Sequence, residues 1–132
     1  MKKELKAKFK ELGVLAVYLF GSRAMGKKSP LSDTDIGIVF KTIPTSLETR
    51  AIYNRLYKIF SELYPDSKLD IVLLQTGPLA LQFFAIKDGK ILFEEDRRFT
   101  ADYEDFVIKR YLDFRPVLDF FDRVATEKYA QA

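Results

Sequence analysis

The order in which helical and extended patterns follow one another constrains this chain most. Leu5, Phe9 and Leu12 recur at helical spacing until Gly13 stops them, so residues 2–12 predict a short amphipathic helix. Val14–Phe20 is an unbroken apolar run closed by Gly21-Ser22 and predicts a buried strand. Arg23–Met25 reads as a brief helical turn and Gly26–Ser32 as a loop, after which Ile36–Phe40 predicts a second strand. Thr45 and Glu48 form a Thr-x-x-Glu capping box, and Leu47, Ile52, Leu56, Ile59, Phe60 and Leu63 mark one face of a helix ending before Pro65. Leu69–Gln75 predicts a third strand, residues 79–87 a further helix and Ile91–Phe93 a short fourth strand. Such alternation predicts an α/β chain: a small mixed sheet with flanking helices.

Beyond the charged break at Glu94–Arg98, Tyr103, Phe106, Tyr111, Phe114, Leu118, Phe121 and Val124 recur at steps of three and four. They predict a C-terminal helical tail, with Pro116 expected to kink it or divide it into two shorter helices. The aromatic stripe either packs on the sheet and completes the core or forms a docking face for another chain. Residues 1–98 and 99–132 are accordingly expected to be a catalytic-sized domain and a helical extension.

Composition narrows the chemistry. The 132 residues contain no cysteine and no histidine, which excludes disulfides, thiolate or imidazole metal sites, a catalytic cysteine and histidine acid–base catalysis. Carboxylates must carry whatever reaction there is. The net charge of +3 is a mild basic bias that reads as ordinary solvation, and Lys27 and Lys28 read as solvated loop charges. Val14–Phe20 is too short to cross a bilayer and no cleavable signal pattern precedes it, so the chain is expected in the cytoplasm, without membrane contact.

The order of elements places three carboxylates together. A short excursion joins the first two strands, which should be antiparallel, whereas a full helix joins the second and third, which should be parallel. The end of strand one, with Gly21-Ser22, then meets Asp33 and Asp35 at the second strand and Asp70 at the third along a single edge. Asp33 and Asp35 project to one side while Ile36, Ile38 and Phe40 face the core. Taken singly, each aspartate has an ordinary explanation as a turn residue, an edge charge or a solvated strand start. Taken together, they suit a hard cation with oxygen ligands, Mg²⁺ above all. Gly21-Ser22 is either a tight turn or a backbone that approaches a phosphate, with donors in the following helical turn.

Gly21-Ser22-Arg23-Ala24-Met25-Gly26, a loop, and Ser32-Asp33-Thr34-Asp35-Ile36 resemble the signature of the DNA polymerase β-like nucleotidyltransferase superfamily, in particular its minimal (MNT) branch. Asp70 in Leu69-Asp70-Ile71-Val72 resembles the third carboxylate of that signature. Two positions depart: Met25 stands where many members have a second arginine, and Thr34 is a polar residue between the aspartates, as a sheet edge tolerates. The resemblance implies the nucleotidyltransferase fold and transfer of a nucleotide from a nucleoside triphosphate, ATP, with pyrophosphate leaving. It implies two Mg²⁺ ions held by Asp33, Asp35 and Asp70, with Asp70 helping to deprotonate the acceptor hydroxyl. Gly21, Ser22, Arg23 and Gly26 would bind the nucleotide. Because only residues 99–132 follow the catalytic core, a partner must bring the acceptor. The whole-chain pattern resembles MNT-type antitoxins of HEPN/MNT toxin-antitoxin systems, which implies that the acceptor is a tyrosine of a HEPN ribonuclease toxin and that the chain makes no direct nucleic-acid contact. The alternatives are an antitoxin that acts by binding alone and a small-molecule nucleotidyltransferase of the aminoglycoside-modifying kind.

Overall fold

The computed structural model describes residues 2–21 and 33–130. The helical turn expected at Arg23–Met25 and the loop to Ser32 lie outside the described residues. The chain runs through α1 (Lys3–Glu11), β1 (Val14–Phe20), β2 (Asp33–Phe40), α2 (Ser46–Leu63), β3 (Lys68–Leu73), α3 (Leu79–Asp88), β4 (Lys90–Glu94) and α4 (Arg97–Ala130). The four strands form one sheet in the order β3-β2-β1-β4. As the connection lengths predict, β1 and β2 are antiparallel and β2 and β3 parallel; β4 pairs antiparallel with β1. At the start of α2 the Thr-x-x-Glu pair is joined across the first turn, Thr45 N–H and O–H both donating to Glu48 Oε1.

The sheet is the middle of three layers. On one face α1 and α2 bring Phe9, Leu56, Ile59 and Phe60 against Val17, Leu19, Ile36, Ile38, Ile71 and Phe93. Phe9 is central, its ring 5.7 Å from that of Phe60 and 5.1 Å from that of Phe93. On the other face Leu74, Ala85 and Tyr103 cover Leu15, Ala16, Tyr18 and Val39. An unbroken apolar run serves both faces because both are covered. A bulge adjusts its phase: Val14 pairs with Phe40 and Ala16 with Val39, which leaves Leu15 as the extra residue.

Two boundaries differ from the sequence expectation by more than one residue. β2 starts at Asp33, three residues before Ile36, so both of its aspartates are strand residues. β3 stops at Leu73, and Leu74–Thr76 turns into a 3₁₀ helix where a strand was expected to continue to Gln75. Packing explains the stop. The Leu74 side chain drops onto Gly37, where a Cβ would lie 2.7 Å from Leu74 Cδ1. The Gln75 side chain then replaces the lost ladder: Phe40 N–H donates to Gln75 Oε1 at 2.8 Å, and Gln75 Nε2 donates to Phe40 O at 2.9 Å.

The C-terminal helix α4 runs through Pro116 as one helix, so of the two expectations there, a kink or two shorter helices, the division into two is not realised. Proline removes one donor there, but the neighbouring turns are exposed and water can satisfy the orphaned carbonyl. Its first half is part of the body. Thr100 and Val107 are buried, Tyr18 O–H donates to Glu104 Oε1 at 2.9 Å, and Tyr103 O–H donates to Gln82 Oε1 at 2.8 Å. Tyr111 stacks on Phe83 with centroids 4.0 Å apart. Past Tyr111 the described side chains through Glu127 are all exposed, among them Phe114, Val117, Phe120, Phe121 and Val124. Within the stripe Tyr103 and Tyr111 pack on the body, Phe106 is exposed, and the described side chains beyond Tyr111 are uncovered. No helix among the described residues is long and apolar enough to cross a membrane.

Candidate active site

Register brings the expected residues together. Phe20 of β1 pairs with Asp35 of β2, and Asp35 pairs with Asp70 of β3, so one row crosses three strands. Asp33 and Asp35 alternate with Thr34 and Ile36, and therefore share the sheet face of Gly37 and Val39. Ile36, Ile38 and Phe40 face the opposite layer, as expected. By the same alternation Asp70 shares the face of Val72. All three carboxylates thus stand on one side of the sheet, at its β1 C-terminal end.

Gly21 closes the row. Its φ is +77°, and a Cβ there would collide with the Asp35 carboxylate. Only a glycine lets the backbone leave β1 in this conformation and at this separation from Asp35. The remaining nucleotide-binding expectations, Ser22, Arg23 and Gly26, lie outside the described residues, as do Met25, Lys27 and Lys28.

The carboxylates differ in environment. Asp33 and Asp70 are exposed, whereas Asp35 is half-buried. Burial raises the Asp35 carboxyl above the usual carboxylate range, and the like charges of Asp70 and Asp33 raise it further. The site therefore has an excess of negative charge centred on one residue. Thr34 does not occupy a tolerant sheet edge. It is fully buried on the other face, and its Oγ1 has no hydrogen-bond partner among the described residues.

Hard oxygen donors that disturb one another's protonation fit a divalent cation in their chemistry. Among the described residues, however, no group of three or more acidic side chains is arranged as a ready-made ion cage. Mg²⁺ seldom uses such a cage, because it takes one or two carboxylates and fills its remaining positions with water and substrate phosphates. Asp35 with Asp33 or Asp70 suits that open coordination.

Sequence reasoning did not single out Phe20, which stands beside Asp35 on the same face. The signal was available: Ala16, Tyr18 and Phe20 share a parity in β1, and Phe20 is the last apolar residue before Gly21.

A family model described as polymerase beta, nucleotidyltransferase, matches residues 3–98. The chain belongs to the polymerase β nucleotidyltransferase family. Its match takes in the whole sheet, the carboxylate row and Gly21. Solved structures share the fold of this nucleotidyltransferase. A chain from the crystal structure of a toxin-antitoxin with AMP-PNP is 19% identical, with a TM-score of 0.68 and full coverage of both chains. A chain from the toxin-antitoxin MntA-HepT is 18% identical, with a TM-score of 0.59, covering 99% of this chain and 100% of that one. A third comes from the tri-AMPylated Shewanella oneidensis HEPN toxin in complex with MNT antitoxin, at 19% identity, a TM-score of 0.59 and full coverage of both. A search of curated proteins returns no match.

Proposed function

We propose that this nucleotidyltransferase is an antitoxin that transfers AMP from ATP to a tyrosine hydroxyl of a HEPN ribonuclease toxin and so neutralises it. The observation that carries the reading is the row Gly21, Asp35, Asp70: a half-buried carboxylate with raised affinity for protons, flanked by like charges, beside a backbone that only glycine can supply. In the reaction, the acceptor oxygen attacks the α-phosphorus, the bond from that phosphorus to the bridging oxygen breaks, and pyrophosphate leaves. Asp70, at the outer end of the row, accepts the hydroxyl proton, while Gly21 brings the chain against the nucleotide together with Ser22, Arg23 and Gly26. Mg²⁺ held by Asp33, Asp35 and Asp70 would neutralise the triphosphate when bound, two ions being the expected number.

Residues 1–98 act in this reading as the catalytic domain and 99–132 as an extension that meets the toxin. The full-length likeness to chains of toxin-antitoxin complexes, one of them with a tri-AMPylated toxin, supports a protein acceptor. The exposed apolar side chains of α4 past Tyr111 support a protein contact as well. A cytoplasmic site of action follows from an ATP substrate and a ribonuclease partner.

Incubating the chain with a HEPN toxin, Mg²⁺ and ATP tests the reading. Intact-mass spectrometry should find one or more AMP units on a toxin tyrosine, and the toxin should stay inactive after the two proteins are separated. A toxin of unchanged mass that regains activity on separation would overturn the enzymatic reading in favour of neutralisation by binding alone.

A further inference from the structure

The charge of this chain is segregated. The first ten residues hold five lysines and one glutamate of the 22 basic and 19 acidic residues, which leaves the remainder at net −1. Lys3, Lys6 and Lys10 follow one another at steps of three and four, and so stand on one side of α1, with Lys2 beside them. All four are exposed, and none has an acidic partner among the described residues, although Lys41, Arg55, Arg97, Arg98 and Lys109 all form ion pairs.

We infer that this face of α1 binds the sugar–phosphate backbone of single-stranded RNA. A membrane surface is a poor fit because Leu5, Phe9 and Leu12, the apolar side an interfacial helix would insert, are already packed in the core. An acidic protein surface is also a poor fit. Protein interfaces are depleted in lysine and centre on apolar anchors, and between these lysines there is only Ala7. Lys2 borders a groove with Leu5, Leu63 and Tyr64, but Lys3, Lys6 and Lys10 form a row of point charges with only Ala7 among them, and such a row matches a backbone whose phosphates recur along a flexible strand. The nine residues of α1 span about 13 Å, enough for a few successive phosphates and too short to track a duplex. With no exposed aromatic in the row, no base is stacked, and binding is independent of sequence. The net charge of +3 conceals this segregation.

The test is fluorescence anisotropy with a labelled 20-nucleotide oligouridylate across a salt series. A triple variant, Lys3→Gln with Lys6→Gln and Lys10→Gln, is compared with a charge-matched control, Lys58→Gln with Arg115→Gln and Arg123→Gln. The α1 variant should bind at least about tenfold more weakly at low salt, with a logarithmic salt slope smaller by about 2, while the control stays near wild type. Circular dichroism should be unchanged, since the three lysines are exposed and unpaired. Absence of wild-type binding at low salt, or equal weakening in both variants, would overturn the inference. Tighter binding of polyglutamate than of the oligouridylate at equal charge concentration would also overturn it, by pointing to an acidic protein partner.

Discussion

Asp35 concentrates the electrostatic strain of the site, and its protonation makes that strain measurable. Its carboxyl is raised by burial and by two neighbouring carboxylates, so the folded chain holds this proton more tightly than the unfolded chain does. The associated stability is greatest when the group is protonated. It falls as pH rises above the ordinary value of 3.8 and is fully lost above the raised value. Asp35→Asn removes this dependence. Without metal at neutral pH, the variant should melt higher than wild type, and the difference should vanish on acidification below 3.8, as followed by differential scanning calorimetry. Addition of Mg²⁺ with a non-hydrolysable ATP analogue should raise wild type and leave Asp35→Asn nearly unmoved. A second prediction concerns Gly21. Gly21→Ala places a Cβ against the Asp35 carboxylate at a φ of +77°, which should cost about 1–2 kcal/mol of stability. Displacement of Asp35 should lower transfer by about a hundredfold, a larger effect in the activity assay than in the melting curve.

At the scale of elements, legibility in the sequence follows how local each cause is. Period and capping identify α1, α2 and β1 because their signals lie within the element: Leu5, Phe9 and Leu12 for α1, and Thr45 with Glu48 for α2. Connection length gives the antiparallel and parallel pairings, and thereby the meeting of Gly21, Asp35 and Asp70. The end of β3 depends on contacts from elsewhere. Leu74 belongs to an apolar run that reads as strand, yet it folds onto Gly37 thirty-seven residues away, and Gln75 completes the ladder with Phe40. The burial of Thr34 and the half-burial of Asp35 are likewise properties of neighbouring strands that no local pattern encodes. Leu74→Ala should therefore cost about 3 kcal/mol by chemical denaturation, because it opens a cavity over Gly37 and loosens the turn that follows. For α4, the stripe of Tyr103, Phe106 and Phe114 is uniform in sequence, and only packing divides it. Truncation after Tyr111 should leave the melting temperature within a few degrees of the full chain, whereas truncation before Arg97 removes Thr100, Tyr103, Glu104 and Val107 and should unfold the second layer.

The whole molecule is a sheet with two tasks. Its two covered faces form the core, and one end carries the carboxylates beside the only described glycine, apart from Gly13, with a positive φ. The family match stops at residue 98, while α4 continues far past the body and leaves apolar side chains in solvent. A carboxylate edge together with an uncovered apolar helix supports the proposed enzyme, whose acceptor arrives on another protein. The fate of the ATP phosphates decides whether this chain transfers AMP to a protein. With a HEPN toxin as acceptor, label from α-phosphate-labelled ATP should become covalently attached to that protein in a Mg²⁺-dependent reaction, and Asp35→Asn should abolish it. Label from γ-phosphate-labelled ATP should be recovered wholly as pyrophosphate. Transfer of the γ-label to the protein, or equal α-label incorporation by wild type and Asp35→Asn, would contradict the account.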